Sequence, residues 1–275
     1  MTGRTVWLAS YPRSGNTWFR AVYSAWRTGG PPNLDHLGTI ASSRERFDDA
    51  LGISSSDLTD DEVDRLRPWA DEVVDRDFGR LHLEKIHDRL SAPGQPEIVS
   101  REATHCAIYL VRDPRDVAVS LAHQNGLSAA GAADLLGDPA ASIADRVDDI
   151  SDQLRQRLGT WSDHVRSWVD SEAFSVHPVR FEDCVAEPCA TFATALSQAG
   201  FTTSAEDLAA AVDEASFERL RAVEATAGFR ENRQRDRPFF RRGRPGAWQD
   251  ELPADLAARI ADEHAEVMAR FGYER

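Results

Sequence analysis

Lysine is almost absent from this sequence of 275 residues, in which arginine supplies every positive side chain except Lys85. A lone lysine in such a background is of interest, because arginine could replace it if only charge mattered. Cysteine is also scarce, and Cys106, Cys184 and Cys189 lack the spacing of metal ligands, which indicates reduced thiols and a cytoplasmic protein. No run approaches the roughly 20 apolar residues that span a bilayer, and a basic-then-apolar leader is missing, so we expect no membrane segment.

The balance of charge is acidic, with 46 Asp and Glu against 32 Lys and Arg and a formal net charge of −14. This charge disfavours non-specific binding to nucleic acid or to anionic membranes, so neither is expected as a partner. Basic side chains nevertheless concentrate from Phe229 to Arg244, where seven arginines accompany only Glu231 and Asp236. The concentration favours a segment that binds a local anion, and a solvated charged loop is the alternative.

Four short apolar segments predict strands, at residues 6–9, 81–87, 107–111 and 176–181. Helical patterns separate them, and this alternation is typical of an α/β fold whose parallel sheet is covered by helices. The length suits one domain. We therefore predict a single domain over residues 1–275, with a central parallel sheet flanked by helices and with helical additions.

The helical segments differ in how sharply the sequence bounds them. One helix follows residue 16 and ends at Gly29, and another begins at Asp113-Pro114 and ends at Gly126. A capping box at Thr59 opens a short helix that Pro68 is expected to interrupt. Apolar residues at helical spacing predict a long helix, or a pair broken near Gly159, over residues 142–168. The other predictions are an irregular segment at 33–53, a loop or frayed helix at 126–139, and helices at 188–199, 205–215 and 253–271.

The segment Tyr11-Pro12-Arg13-Ser14-Gly15-Asn16-Thr17-Trp18 joins the first predicted strand to the first helix. A strand–loop–helix unit directs backbone N–H groups and the positive end of a helix dipole into its loop, where they can hold an anion. Arg13 adds a positive charge, and Ser14, Asn16 and Thr17 add neutral donors. The loop lacks the first glycine and the lysine of nucleoside triphosphatases. An ordinary strand–turn–helix start is the alternative.

This loop resembles the phosphosulfate-binding loop of sulfotransferases that use 3′-phosphoadenosine 5′-phosphosulfate (PAPS), which commonly reads Tyr-Pro-Lys-Ser-Gly-Thr-x-Trp. Four further segments match the same family in the expected order. The resemblance implies a P-loop-kinase-like loop and a donor site formed by residues that the family uses for the phosphosulfate, the 3′-phosphate and the adenine. In this sequence they are Arg13, Ser14, Gly15, Asn16, Thr17, Trp18, Arg112, Ser120, Phe181, Ser216, Phe217, Arg241, Arg242 and Gly243.

Lys85-Ile86-His87 resembles the Lys-x-His pair of the same family, which lies between donor and acceptor. A neutral histidine can take the proton of an acceptor hydroxyl, and a lysine two residues away on an extended segment lies on the same face. The resemblance implies that His87, Lys85 and Arg13 are the catalytic residues. Arg13 stands where many members have lysine, so its role would be fixed charge rather than proton donation.

The resemblance implies an enzyme that moves the sulfuryl group of PAPS to an alcohol or phenol hydroxyl of a small molecule, without a metal, and releases adenosine 3′,5′-bisphosphate (PAP). A bacterial source is suggested by composition. A P-loop-type nucleotide or small-molecule kinase and a catalytically inactive nucleotide-binding protein are the alternatives, and sulfation of a carbohydrate polymer or protein is a third. The sequence leaves the acceptor and the oligomeric state open.

Overall fold

The computed structural model describes residues 3–145, 151–232, 234 and 236–274. Its main sheet has four parallel strands in the order β2-β1-β3-β6. The strands are β1 Thr5–Ser10, β2 His82–Ile86, β3 Thr104–Val111 and β6 Val176–Arg180. β1 pairs with β2 from Thr5 opposite His82 to Ala9 opposite Ile86. Every residue of β1 is buried, as expected for an interior strand of a parallel sheet. The predicted α/β class and the four predicted strands are confirmed.

The chain folds into two compact units, of which the first comprises the described residues among 3–11, 39–109 and 138–178. This unit contains most of the sheet, a short antiparallel strand pair and three helices. These elements are β4 Ser142–Ile143, β5 Gln156–Arg157, α2 Arg44–Leu51, α3 Asp60–Phe78 and α6 Trp161–Val169.

Two expectations for the first unit are wrong. α3 continues through Pro68 for 19 residues, so this proline does not interrupt it. Of the helix or helix pair predicted over residues 142–168, only the part after Gly159 is helical, as α6; β4 and β5 lie in the first part, and residues 146–150 lie outside the described part. Two observations explain the second error: Ala144 has a left-handed φ of 58°, and Leu154 packs into a cluster with the α2 residue Phe47. Apolar spacing that fits a helix can arise from strand and loop residues that meet a common core.

The second unit comprises residues 12–38, 110–137 and the described residues from 179 on. α1 ends at Gly29 and α4 at Gly126, both in the left-handed conformation, as the sequence predicts. Its helices are α1 Asn16–Thr28, α4 Pro114–Asn125, α5 Ala129–Gly137, α7 Phe181–Ala186, α8 Pro188–Gln198, α9 Ala205–Glu214, α10 Phe217–Ala227, α11 Trp248–Glu251, α12 Ala254–Glu263 and α13 Ala265–Arg270.

Local structure differs from the prediction at several places. Residues 33–53 contain a 3-10 turn at Leu34–His36 and α2, and the 126–139 segment contains α5. The sequence did not predict α7, α10 or α11, and the predicted C-terminal helix is two helices, because His264 separates α12 from α13. None of the described helices is long and apolar enough to cross a membrane.

Candidate functional site

The loop between β1 and α1 presents a helix N-terminus without an acidic residue in its first turn. Gly15 caps α1 with a φ of 99°, a conformation that side chains disfavour. A Cβ built on Gly15 would lie 2.7 Å from the Phe181 ring, so glycine is also required by space. The loop is therefore shaped so that backbone and the positive end of the helix dipole can approach an anion.

Arg13 lies in this loop with a positive φ of 73°, one of two such non-glycine residues among those described. Its Nε donates to Ser120 Oγ at 2.9 Å, and its guanidinium stacks over the Phe239 ring at 4.2 Å. Burial, and then the charge of Arg112, lower the pKa of Arg13 to about 10. A guanidinium with a lowered pKa lies in surroundings that disfavour its charge, and an anion would reverse this.

Arg112 follows β3 and contacts the same loop. It donates to the backbone oxygen of Arg13 at 3.1 Å, lies over the Phe181 ring at 4.4 Å, and is 3.6 Å from the Asp116 carboxylate. Its buried Nε has no hydrogen-bond partner among the described residues, and the buried Ser14 Oγ has none either. A hydrogen-bonding ligand at this loop would supply partners to both atoms.

The C-terminal arginine segment is held through carboxylates. Glu251 accepts a hydrogen bond from Arg241 at 2.6 Å and forms an ion pair with Arg242 at 2.8 Å, a pairing that the sequence did not predict. Gly243 has a φ of 62°, and a Cβ there would lie 2.2 Å from the Phe217 ring. The glycine therefore allows the segment to pass directly against an aromatic side chain of α10.

Buried Asp116 of α4 attaches the chain beyond this segment. Its carboxylate accepts from the backbone N–H groups of Gly246 at 2.8 Å and Trp248 at 3.0 Å. Because Asp116 is also the carboxylate near Arg112, one α4 residue contacts both Arg112 and the chain that directly follows the arginine segment. The structure thus brings Arg112 and the C-terminal segment together.

Three further residues predicted to bind PAPS lie in this unit, namely Trp18, Ser216 and Phe217. Trp18 Nε1 donates to the Ala215 oxygen at 3.0 Å, and its ring meets Phe181 edge to face with centroids 6.1 Å apart. Ser216 is the N-cap of α10, directly before Phe217, whose ring contacts Phe240. Trp18 thus contacts the chain at the end of α9, and Phe181 lies against the loop glycine Gly15.

Asn16 and Thr17 have a local role that the sequence did not suggest. Asn16 Oδ1 accepts from Arg20 Nε at 3.1 Å, and Thr17 Oγ1 accepts from the same guanidinium at 3.4 Å. Arg20 in turn makes a bidentate pair with Glu231, with both distances 2.8 Å. The first turn of α1 is thus tied to the arginine segment.

Lys85 and His87 belong to the first unit. Lys85 lies in β2 opposite Leu8, and it is 9% exposed. His87 follows the end of β2, and its Nδ1 lies 2.8 Å from the Ser10 backbone oxygen. A carbonyl can only accept, so Nδ1 carries the proton and donates. Nε2 is therefore the ring nitrogen with a lone pair, as a general base requires.

Two residues near His87 are not among the site residues that the sequence predicts. His164 and Tyr109 are fully buried and hydrogen bonded to each other at 2.9 Å. His164 Nε2 is also 2.9 Å from the His87 backbone oxygen. The described part of the chain contains no group of three or more His, Cys, Asp or Glu side chains suited to a metal ion.

A sequence model of the sulfotransferase domain matches residues 4–272. The chain belongs to this family. A search of curated proteins gave no significant match.

Solved structures extend the family comparison to the fold. A retinol dehydratase bound to androsterone and the inactive cofactor PAP has a TM-score of 0.64 at 17% identity, over 98% of this chain and 81% of that one. A complex of retinol dehydratase with retinol and PAP has a TM-score of 0.62 at 18% identity, over 98% of this chain and 82% of that one. The mouse sulfotransferase SULT7A1 with PAP has a TM-score of 0.59 at 18% identity, over 96% of this chain and 84% of that one. At these identities the similarity establishes the sulfotransferase fold.

Proposed function

We propose that the chain transfers the sulfuryl group of PAPS to the hydroxyl of a small molecule and releases PAP. The observation that carries the proposal is the surroundings of Arg13. Its described contacts are a serine hydroxyl and an aromatic ring, with Arg112 hydrogen bonded to its backbone. Two guanidinium groups beside a helix N-terminus form a cationic centre that suits the phosphosulfate end of the donor.

The residues present fit the donor in three further respects. Ser14 Oγ and Arg112 Nε are buried donors without described partners, and the ligand supplies acceptor oxygens. Gly15 and Gly243 leave no space for a Cβ beside Phe181 and Phe217, so the backbone of both segments lies close to the aromatic rings that we assign to the adenine. We assign the phosphosulfate to Arg13, Ser14, Gly15, Asn16, Thr17 and Trp18, the 3′-phosphate to Arg112, Ser120, Arg241, Arg242 and Gly243, and the adenine to Phe181, Ser216 and Phe217.

Bound PAPS supplies a sulfuryl group attached to a phosphate that is a good leaving group. We assign the proton transfer to His87, whose Nε2 lone pair takes the proton of the acceptor hydroxyl as its oxygen attacks sulfur. Lys85 offers a compact ammonium to the sulfuryl oxygens, and Arg13 stabilises negative charge on the leaving phosphate. Since a guanidinium stays protonated at neutral pH, Arg13 acts through charge.

The acceptor is proposed to be a small molecule with an alcohol or phenol group. Structures with the same fold hold retinol and androsterone, which supports this size class. The net charge of −14 supports the absence of a nucleic-acid partner. We further propose that residues 1–275 form a single sulfotransferase domain, which the family match over 4–272 supports. A cytoplasmic bacterial setting is proposed from the composition and the unpaired Cys106, Cys184 and Cys189.

Calorimetric titration of the ligand-free protein tests the donor assignment. PAP should bind far more tightly than adenosine 5′-monophosphate, because each charged hydrogen bond to the 3′-phosphate contributes about 1.5–3 kcal/mol. Arg112→Ala should remove most of this preference. Arg244→Ala is the matched control, since exposed Arg244 pairs with Asp250, and it should leave the preference intact. Equal affinity for the two nucleotides would contradict the proposed function, and transfer of ³⁵S from labelled PAPS to a panel of alcohols and phenols would identify the acceptor.

A further inference from the structure

A closed circuit of hydrogen bonds passes through His87. The peptide group between Ser10 and Tyr11 takes part with both of its polar atoms: its oxygen accepts from His87 Nδ1 at 2.8 Å, and its N–H donates to the Tyr109 hydroxyl. Tyr109 Oη is 2.9 Å from His164 Nδ1, and His164 Nε2 is 2.9 Å from the His87 backbone oxygen. All these groups belong to the first unit.

The direction of every bond in this circuit is determined by its backbone members. The His87 oxygen can only accept, so His164 must carry its proton on Nε2. In the neutral ring Nδ1 then has the lone pair, so the Tyr109 hydroxyl donates to Nδ1 and accepts from the Tyr11 N–H, which can only donate. In their neutral forms the two histidines are therefore opposite tautomers, with the proton on Nδ1 in His87 and on Nε2 in His164.

We propose that His164 and Tyr109 are positioning residues that hold His87 in the orientation and tautomer required of the general base. The inference rests on the proposed function, in which His87 Nε2 takes the acceptor proton. The His164 bond fixes the backbone of His87, while the Ser10 oxygen fixes its ring. Because Tyr109 connects His164 to the same Ser10–Tyr11 peptide, both restraints refer to one point at the end of β1.

The surroundings of the circuit favour a restraining role. His164 is 0% exposed, and Tyr11 packs against its ring edge to face at 5.3 Å. Burial lowers the pKa of His164 to about 4, so the ring is neutral at physiological pH and can accept from Tyr109. The next residue, Asp88, is held as firmly, since its carboxylate pairs with Arg67 and its backbone oxygen accepts from Trp168.

Two substitutions at His164 separate positioning from mere filling of space. In His164→Gln the amide nitrogen occupies the place of Nε2 and can still donate to the His87 oxygen. In His164→Asn the side-chain amide reaches only the place of Nδ1, so the bond to His87 is lost while a polar side chain remains. Tyr109→Phe, like His164→Gln, loses the bond between Tyr109 and His164. Only Tyr109→Phe also removes the acceptor of the Tyr11 N–H, and so loosens the peptide whose oxygen holds the His87 ring. His105→Gln, at an exposed position of β3, is the control.

Long-range ¹H–¹⁵N correlation spectra of the histidine-labelled, ligand-free protein at pH 8.5 test the circuit without reference to activity. His87 and His164, assigned by substitution, should show the Nδ1–H and Nε2–H patterns respectively. His164→Asn and Tyr109→Phe should weaken or exchange-broaden the Nδ1–H pattern of His87, and His164→Gln should preserve it. The same tautomer for both residues in the native protein would overturn the inference.

Steady-state kinetics with ³⁵S-labelled PAPS and either 2-naphthol or benzyl alcohol test the consequence. His164→Asn and Tyr109→Phe should lower kcat by about 10²-fold, the loss expected when a reacting group is displaced by about 1 Å. KM for PAPS and calorimetric binding of PAP should be unchanged, and His164→Gln should retain most of the activity. If His164→Asn folds and has the same kcat as His164→Gln, the positioning role is refuted. If neither His164 variant folds, the kcat of Tyr109→Phe decides between the two roles. A native protein with the expected tautomers but no transfer to any acceptor would instead contradict the proposed function.

Discussion

Replacing Arg13 by glutamine should weaken anion binding and, at the same time, spare or increase the stability of the ligand-free chain. The reason is the lowered pKa of Arg13, about 10 against an ordinary value above 12, which burial and then Arg112 cause. A basic group whose folded pKa lies below its unfolded value opposes folding while it is charged. The guanidinium is charged in both states below pH 10, so the full cost is present at neutral pH.

The magnitude follows from the pKa and from the contacts that would be lost. Each pKa unit corresponds to about 1.36 kcal/mol, so the shift of Arg13 opposes folding by roughly 2–3 kcal/mol once partial solvent screening is allowed for. Against this, the change removes the hydrogen bond to Ser120, worth about 1 kcal/mol, and the stack on Phe239, worth about 0.5–1 kcal/mol. The free energy of unfolding should therefore stay level or rise by about 1 kcal/mol.

Arg67→Gln provides the opposite case. Arg67 is buried with both guanidinium nitrogens on the Asp88 carboxylate, at 2.8 and 2.7 Å. Burial lowers the pKa of Arg67, but the charge of Asp88 and its hydrogen bonds raise it, and the net shift is upward. Removing the cation leaves Asp88 buried and unpaired, which costs about 3–5 kcal/mol.

Urea unfolding at pH 7.5, with and without saturating PAP, measures both effects. In the absence of PAP, Arg13→Gln should match or exceed the native protein, and Arg67→Gln should fall well below it. Saturating PAP should stabilise the native protein much more than Arg13→Gln, because ligand stabilisation grows with affinity. The reasoning is refuted if Arg13→Gln loses several kcal/mol without ligand, or if PAP stabilises it as much as the native chain.

Three further substitutions have definite expected outcomes. His87→Ala should lower turnover about 10²–10⁴-fold in steady-state assays while calorimetry shows unchanged PAP binding, since the proton it removes belongs to the acceptor; unchanged turnover would place the base elsewhere. Gly243→Ala should weaken PAP binding and lower stability, because its Cβ would lie 2.2 Å from Phe217. In Gly246→Ala the new Cβ would lie 3.9 Å from its nearest neighbour, so this variant should show only backbone strain of about 1–3 kcal/mol. Equal losses of stability in the two variants would contradict this expectation. Burial lowers the pKa of His164 from 6.5 to about 4. The stability that comes from keeping this ring neutral is therefore fully present above pH 6.5, and the free energy of unfolding should fall by up to roughly 3 kcal/mol as pH drops through 4. In pH-dependent unfolding, His164→Gln should lack this part of the slope.

Signals confined to a few neighbouring residues predicted the local structure well. The apolar run before Pro12, the glycine at the start of α1 and the Asp113-Pro114 helix start act through backbone conformation and capping, which the local sequence determines. The helix predicted in the first part of residues 142–168 is wrong, because apolar residues there have helical spacing but pack against a core formed by α2 and α3. Apolar periodicity indicates which residues are buried, whereas their conformation depends on the elements that pack against them.

The candidate site divides along the same line. Arg13 and His87 could be selected from motifs, but their partners are distant in sequence: Ser120 for the first, Ser10 and His164 for the second. The sequence predicted that Ser120 and Arg112 share an anion, and the structure shows the Ser120 hydroxyl on Arg13. His164 and Tyr109 were not predicted as site residues, since their significance lies in which backbone atoms they reach.

Arginine illustrates why the function of a charged residue depends on pairing that only the fold specifies. Acidic side chains outnumber basic ones in this chain, 46 to 32, so a carboxylate partner is easily available. Arg46 and Arg67 have such partners, and their pKa values are raised. The carboxylates near Arg13 are engaged elsewhere: Glu231 pairs with Arg20, and Glu224 accepts from the backbone of the arginine segment. In an acidic chain, a partly buried arginine whose described contacts include no carboxylate is available to bind an external anion. The lowered pKa of Arg13 is consistent with this, because its surroundings disfavour the charge that a bound anion would stabilise.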